Sequence, residues 1–257
     1  MRLRAAINTK SRVVSGLESK VMQKLIVYSC VVGGYDNFQE TLLHGRVLEE
    51  PGIRYVLYTD SLTSNGPKLV QKSGSNIEWE LRPLAWKTDC PVRTARYHKC
   101  LPHRVLDPHE KSLWVDGSLI FKEIRPLSDL VNPALAGDFS LATFKHPDRS
   151  CVYQEEKACL RWKKDDPNIM RRQMLFYQQE GYPASNGLVE TACCARINND
   201  LCNNFNAAWW DQIRRYSRRD QLSFNYVCWK LGMNYSYIPG ERFKSPYFYH
   251  VNHKRRS

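Results

Sequence analysis

No Cys-x-x-Cys pair occurs in the sequence, although it carries nine cysteines. A zinc ribbon or thioredoxin-type motif is therefore not expected. There is no GxxxxGK[ST] or GxGxxG stretch, which removes the P-loop and the dinucleotide fingerprint. GxSxG and HExxH are absent too, and with them the marks of an α/β-hydrolase serine and a zinc peptidase. No apolar run reaches the roughly 18 residues that cross a bilayer. Residues 1–24 hold six basic side chains and one acid but lack the apolar centre of a signal peptide. No internal repeat, low-complexity stretch or linker interrupts the 257 residues, so one domain is favoured over two.

Acid is scarce. Lys plus Arg number 38 against 26 Asp plus Glu, a net charge of +12. Such an excess points to an anionic partner: nucleic acid, a membrane surface or a phosphorylated small molecule. Residues 1–22 read as a basic arm, either helical or solvated, ahead of a domain over 23–257. The cysteines mostly sit among apolar residues, as at Val227-Cys228-Trp229, and read as buried reduced thiols. A disulfide-bearing lumenal form is the alternative. The setting expected is cytoplasmic or peripheral to a membrane, with the basic termini drawn to anionic lipid. A Golgi-lumen setting applies if the chain is trimmed from a lumenal protein.

The pattern alternates strands with helices. Lys24–Val32 and Arg54–Asp60 read as buried strands, with a short helix over 39–50 between them. Trp79–Leu84 reads as a third strand, at a sheet edge because of Pro83. A helix over 92–106, carrying Arg93, Arg96 and Lys99, is bent or broken at Pro102. Lys111–Asp116, Phe139–Phe144 and Leu188–Ile197 complete the strands. Helices are expected over 152–164, 167–180, 204–217 and 219–231, with Gly181 closing the second. This order predicts an α/β fold with a mainly parallel sheet flanked by helices. Ligands of such sheets bind beyond the carboxyl ends of the strands, where Asp36, Asp60 and Asp116 fall.

Trp114-Val-Asp-Gly-Ser-Leu-Ile-Phe121 is the most informative segment. A carboxylate after a buried strand can hold a hard divalent cation that also binds a diphosphate, or it can simply cap a turn. Arg93, Arg96 and Lys99 either neutralise phosphates at the same rim or form a solvated face. Asp220 and Gln221 open a helix, where capping alone would explain the acid. Gly33-Gly34 ends a strand, as a turn or as a place of close ligand approach. Trp209-Trp210 reads as core or as a sugar platform.

Taken in order, several segments resemble one family: Gly33-Gly34-Tyr35-Asp36, Tyr58-Thr-Asp60, Lys99-Cys-Leu-Pro-His103, Trp114-Val-Asp-Gly117, His146-Pro-Asp-Arg149, Cys151-Val-Tyr-Gln-Glu155, Gly187-Leu-Val-Glu190 and Arg219-Asp-Gln-Leu-Ser-Phe224. The chain is similar over about 24–230 to the glycosyltransferase-like domain family, known from plant cell-wall and mucilage proteins and from microbial and viral sequences. The resemblance implies a GT-A-like, Rossmann-like fold. It implies transfer of a sugar from a nucleotide diphosphate sugar, UDP favoured, to a glycan or glycolipid acceptor, with Mn²⁺ or Mg²⁺. Asp116 matches the first acid of the DxD motif, and Ser118 replaces the second. His253, with His250 nearby, is the candidate C-terminal metal ligand beside Asp116 and Ser118. Lys87, Arg96, Lys99 and Lys254 would face the diphosphate. Gly33, Asp36, Thr59 and Asp60 would line the base and ribose, with Tyr35 stacked on the base. Asp116 would reach the metal alone or bind the ribose, and Gln221 would also contact the nucleotide sugar; the Asp220–Gln221 pair is similar to motifs of retaining family-eight enzymes. Asp220 and Glu190 are the candidate carboxylate bases of an inverting enzyme. Glu190 could instead serve in a salt bridge, with Arg196 as its partner. Stereochemistry stays open. Two rivals stand beside this reading: an inactive nucleotide- or glycan-binding module, prompted by Ser118, and a basic nucleic-acid-binding protein. The second lacks any recognised module, so no nucleic acid is expected.

Overall fold

Side chains along 24–32 alternate across two faces, and both faces are apolar. Only a strand covered on both sides can bury such a run. In the computed structural model, residues 10–13, 22–34, 37–62 and 66–251 are described. Eleven strands occur among them: β1 (Lys10–Val13), β2 (Gln23–Val31), β3 (Ile53–Thr59), β4 (Lys68–Gln71), β5 (Glu78–Arg82), β6 (His109–Val115), β7 (Leu119–Phe121), β8 (Leu141–Lys145), β9 (Val189–Ile197), β10 (Ser236–Tyr237) and β11 (Phe248–His250). The helices are α1 (Pro91–Cys100), α2 (Pro102–Val105), α3 (Ser128–Ala134), α4 (Val152–Arg161), α5 (Pro167–Gln179), α6 (Asp200–Arg215) and α7 (Gln221–Leu231), with a 3₁₀ turn at Leu42–His44.

Nine strands form one sheet in the order β1-β4-β5-β3-β2-β6-β9-β8-β10, and β7 pairs with β11 apart from it. β5, β3, β2 and β6 run parallel in succession. β9 enters antiparallel between β6 and β8, and β10 returns parallel to β8. The fold is thus α/β and Rossmann-like, with a mostly parallel mixed sheet flanked by helices. Leu25, Val27 and Val31 of β2 enter one core, with Leu42 and Leu43, the α3 residues Leu130 and Val131, and Phe121 and Phe248 of the small hairpin. Ile26, Tyr28 and Cys30 enter the other, beneath α1, α4, α5, α6 and α7. Trp209 belongs to that second core. All nine thiols are free, and eight are buried.

Several boundaries differ from expectation. β5 is interior, between β4 and β3, because it stops at Arg82 and leaves Pro83 outside the ladder. The helix expected over 39–50 shrinks to one 3₁₀ turn. It ends at Gly45, where an added Cβ would lie 3.0 Å from Phe121, so the chain lies flat against β7. α1 does stop before Pro102, and α2 restarts at it. Of the basic arm, the strand β1 pairs antiparallel with β4, Met22 leads exposed into β2, and residues 1–9 and 14–21 lie outside the described residues.

His98 shows how the helix layer is tied to the sheet. It is fully buried, its Nδ1 lies 2.9 Å from the Thr94 carbonyl, and its Nε2 accepts from the Ala85 N–H at 3.0 Å. Burial pushes its pKa down to about 4, against the pull of the Thr94 carbonyl. A depressed value means that the unfolded chain takes up a proton first as pH falls below its ordinary 6.5. Stability is therefore expected to drop by about 2 kcal/mol between pH 7 and pH 5 from this residue alone. Urea unfolding of the wild type and His98→Gln at both values checks this. The variant is expected to lose that share of the pH dependence.

Candidate functional site

The parallel strands β2, β3 and β6 end on one rim, and a cleft of about 520 Å³ opens there. Gly33 follows β2 in the left-handed region (φ +66°), and its N–H donates to Asp60 Oδ2 at 2.9 Å. A Cβ at Gly33 would sit 3.2 Å from Pro91, so the glycine lets the β2 turn approach the start of α1.

Asp116 follows β6. Its carbonyl accepts from the Leu119 N–H at 3.0 Å, which closes a tight turn over Gly117 and Ser118. Its Oδ1 accepts from Trp114 Nε1 at 2.6 Å and from Lys99 Nζ at 3.4 Å. Lys99 comes from the last turn of α1 and is fully buried. Its ammonium also donates to Asp220 Oδ2 at 2.6 Å and Thr191 Oγ1 at 3.2 Å, and lies 5.5 Å from the Trp114 ring centre. Asp220 precedes α7. It further accepts from Thr191 Oγ1 at 2.8 Å and pairs with Arg96 Nε at 3.2 Å. Burial pushes the Asp220 carboxyl up, but Arg96, Lys99 and Arg219 outweigh it and hold the group well below the usual carboxylate range. Asp220 is thus an ionised strut whose lone pairs are engaged.

Glu190 is different. It is buried at the start of β9, where Arg242 Nε lies 3.1 Å from its Oε1. Its Oε2 is buried with no hydrogen-bond partner among the described residues. Burial pushes its pKa up, Arg242 opposes this, and Asp116 and Glu155 add to the rise. A cleft carboxylate with raised proton affinity and an uncommitted oxygen has the chemistry of a general base. Arg196, named as a partner for Glu190 on sequence grounds, instead donates to Tyr28 Oη at 3.0 Å on the other side of β9. A regular period of two would put residues 190 and 196 on one face, but the register shifts between Thr143, opposite Cys194, and Phe144, opposite Glu190, and this irregularity separates them.

The cleft unites Arg96, Asp116, Ser118, Glu190, Asp220 and Gln221 of the expected set, and Lys99 lies directly beneath them. Gln221 donates through Nε2 to the Val189 carbonyl at 3.2 Å. Thr59 turns to the opposite face and lines a second cavity of about 220 Å³ with Phe38 and Leu43. Lys87 is exposed in the segment before α1 and does not line the cleft. Tyr35, Asp36, His253 and Lys254 lie outside the described residues. β11 places His250 opposite Leu119, at the cleft wall.

Sequence reasoning assigned no role to Arg149, Glu155, Trp162, Arg242 or Phe243, all of which line the cleft. Arg149 and Glu155 pair at 2.7 Å. Both fall in segments that had carried the family resemblance, Arg149 in the loop after β8 and Glu155 in the first turn of α4. Nothing local marks Arg242 or Phe243, because only the fold brings 242–243 to this rim.

The residues present do not suit Mn²⁺ or Mg²⁺ well. Such ions favour carboxylate oxygens free of competing cations. Among the described residues, no three His, Cys, Asp or Glu side chains converge. Asp116 already touches an ammonium, and Ser118 offers a neutral hydroxyl. No step is therefore derived through a metal.

The family model described as TOD1/MUCI70, glycosyltransferase-like domain, matches residues 8–253. The chain is 23% identical over 227 residues to the probable hexosyltransferase MUCI70 of Arabidopsis thaliana, a match covering 82% of this chain and 38% of that protein. It is 28% identical over 146 residues to the alkaline ceramidase TOD1 of the same plant, covering 53% of this chain and 31% of that protein. The matches thus span less than two fifths of either relative's length. No described helix is long and apolar enough to cross a membrane. On the family match, which takes in the whole sheet and every wall of the cleft, the chain belongs to the TOD1/MUCI70 glycosyltransferase-like domain family.

Proposed function

We propose that the cleft transfers a hexosyl or pentosyl group from a nucleotide diphosphate sugar, UDP favoured, to a hydroxyl of a glycan or glycolipid, within a GT-A-like fold. One observation carries the reading: Glu190, a carboxylate with a free buried oxygen, shares a cleft at the strand ends with Arg96, Arg218 and Arg219. In the reaction the acceptor oxygen forms a bond to the sugar's anomeric carbon as the bond from that carbon to the phosphate oxygen breaks. The bonding pair leaves on the diphosphate, and the acceptor's proton goes to Glu190. The guanidinium groups offset the charge that develops on the leaving group. Such a displacement inverts the anomeric centre. Asp220 and Lys99 act as positioning residues that fix Asp116 and Arg96.

Thermal shift with UDP, GDP and CDP, followed by donor hydrolysis on any hit, tests the reading. A nucleotide at about a hundred times its Kd is expected to add about 2.7 kcal/mol, a clear rise in Tm. Binding without sugar release or transfer to any acceptor would leave an inactive binding module. The second relative's name supplies a rival: release of fatty acid from ceramide with no nucleotide sugar present would replace transfer by amide hydrolysis.

A further inference from the structure

We infer that this chain holds the donor's diphosphate with its own cations, Arg96 and Arg219 at the cleft wall and Lys99 beneath them, without a divalent ion bridging it to Asp116. The inference rests on the proposed donor site and specifies its chemistry. Four observations lead to it. First, Asp116 Oδ1 is occupied by Trp114 Nε1 and the Lys99 ammonium, so any divalent ion on this carboxylate would meet a fixed positive charge. Second, the residue two positions on is Ser118, a neutral group in a place where a second carboxylate would have raised affinity for a metal. Third, the other carboxylate within reach of Lys99 is Asp220, already bound by Lys99, Thr191 and Arg96. Fourth, Arg219 lines the cleft with Nε buried and without a hydrogen-bond partner among the described residues, while its Nη2 donates to Gln221 Oε1 at 3.1 Å.

Charge balance ties these together. A divalent-metal site gathers excess carboxylate, which the ion then neutralises. Counting every charged side chain that lines the cleft, with Lys99 beneath, seven cations (Arg96, Lys99, Arg149, Lys164, Arg218, Arg219 and Arg242) stand against five carboxylates (Asp116, Asp148, Glu155, Glu190 and Asp220). The patch is positive before any ion is added, and its natural complement is an anion. Asp116 is then left to accept a hydroxyl of the ribose or the sugar.

The sign of one substitution separates the two arrangements. If a metal bridges Asp116 and the diphosphate, neutralising Asp116 weakens diphosphate binding. If the chain's own cations hold it, Asp116 is a repelling charge, and neutralising it strengthens binding. Asp116→Asn keeps an oxygen for Trp114 and leaves Lys99 paired with Asp220, so the fold is preserved. The experiment is calorimetric titration of UDP and of inorganic pyrophosphate, each in EDTA and in MnCl₂. The wild type is expected to bind each with a Kd that agrees within about twofold between the two conditions. Asp116→Asn should bind pyrophosphate a few-fold tighter, and Arg219→Gln about tenfold weaker. A gain of tenfold or more from Mn²⁺ that Asp116→Asn abolishes would overturn the inference and leave the donor site standing. Failure of UDP and pyrophosphate to bind in either condition would remove the donor site itself, and this inference with it.

Discussion

Glu190→Gln is expected to lower the rate of sugar transfer about a thousandfold while nucleotide affinity stays within about twofold. The amide keeps the size of the carboxylate and an acceptor oxygen for Arg242, but it cannot take a proton. The same change should raise Tm at neutral pH. Burial holds the Glu190 pKa above its ordinary value, so the folded state binds a proton more readily than the unfolded chain does. Its contribution to stability is present at low pH and lost as pH rises through the folded value. Removing the charge recovers that loss, and the difference in Tm between variant and wild type should vanish in acid. In the wild type, transfer should fall as pH drops through a midpoint above the usual glutamate value, because the base must be ionised. A variant that keeps wild-type kcat would remove Glu190 from the chemistry. The pH–rate profile separates a base from a merely structural salt bridge, which would leave the midpoint unmoved.

Lys99→Met is expected to destabilise the fold by about 3–5 kcal/mol, read as a lower urea midpoint. The methionine fills the space but leaves the Asp220 carboxylate buried beside Thr191 with Arg96 as its remaining direct cation. Asp220→Asn in the same chain should recover part of the loss, since it removes the charge that Lys99 had compensated. The acid limb of the stability curve should change too. A carboxylate held below its ordinary range contributes stability above that range and loses it as pH falls. With Lys99 gone, this loss should shift to higher pH. Equal stability of Lys99→Met and wild type would show that the ammonium is dispensable as a strut.

Much of this fold is legible in the sequence because β2, β3, β6 and β9 alternate cleanly or run apolar throughout. The helices over 152–161, 167–179 and 221–231 carry their own stops, such as Gly181 (φ +79°) and Gly232 (φ +60°). The short strands β4, β10 and β11 are too brief for a period to show, and their existence depends on neighbours rather than on their own residues. α3 hid behind Pro133, which sits near the end of the helix, where few backbone bonds are lost. The rim acids were legible as strand ends. Their roles were not, because a strand end says nothing about which face a side chain takes. Thr59 fell on the far face for that reason. Asp60 became a clasp for the Gly33 N–H. The partners of Asp220 and Glu190 lie far away in sequence, at Lys99 and Arg242, and no local pattern announces them.

The Lys99–Asp220 bond spans 121 positions and joins α1 to the start of α7. During synthesis α1 and β6 leave the ribosome well before the acid that neutralises their lysine. Until Asp220 emerges, that ammonium lacks the closer of its two direct carboxylate partners, so it resists entering the core. The centre of the cleft is therefore late to set, and its assembly reports that synthesis has passed Asp220. A product that terminates before Asp220 should not accumulate as a folded protein lacking activity. It should persist as an aggregation-prone fragment that quality control removes.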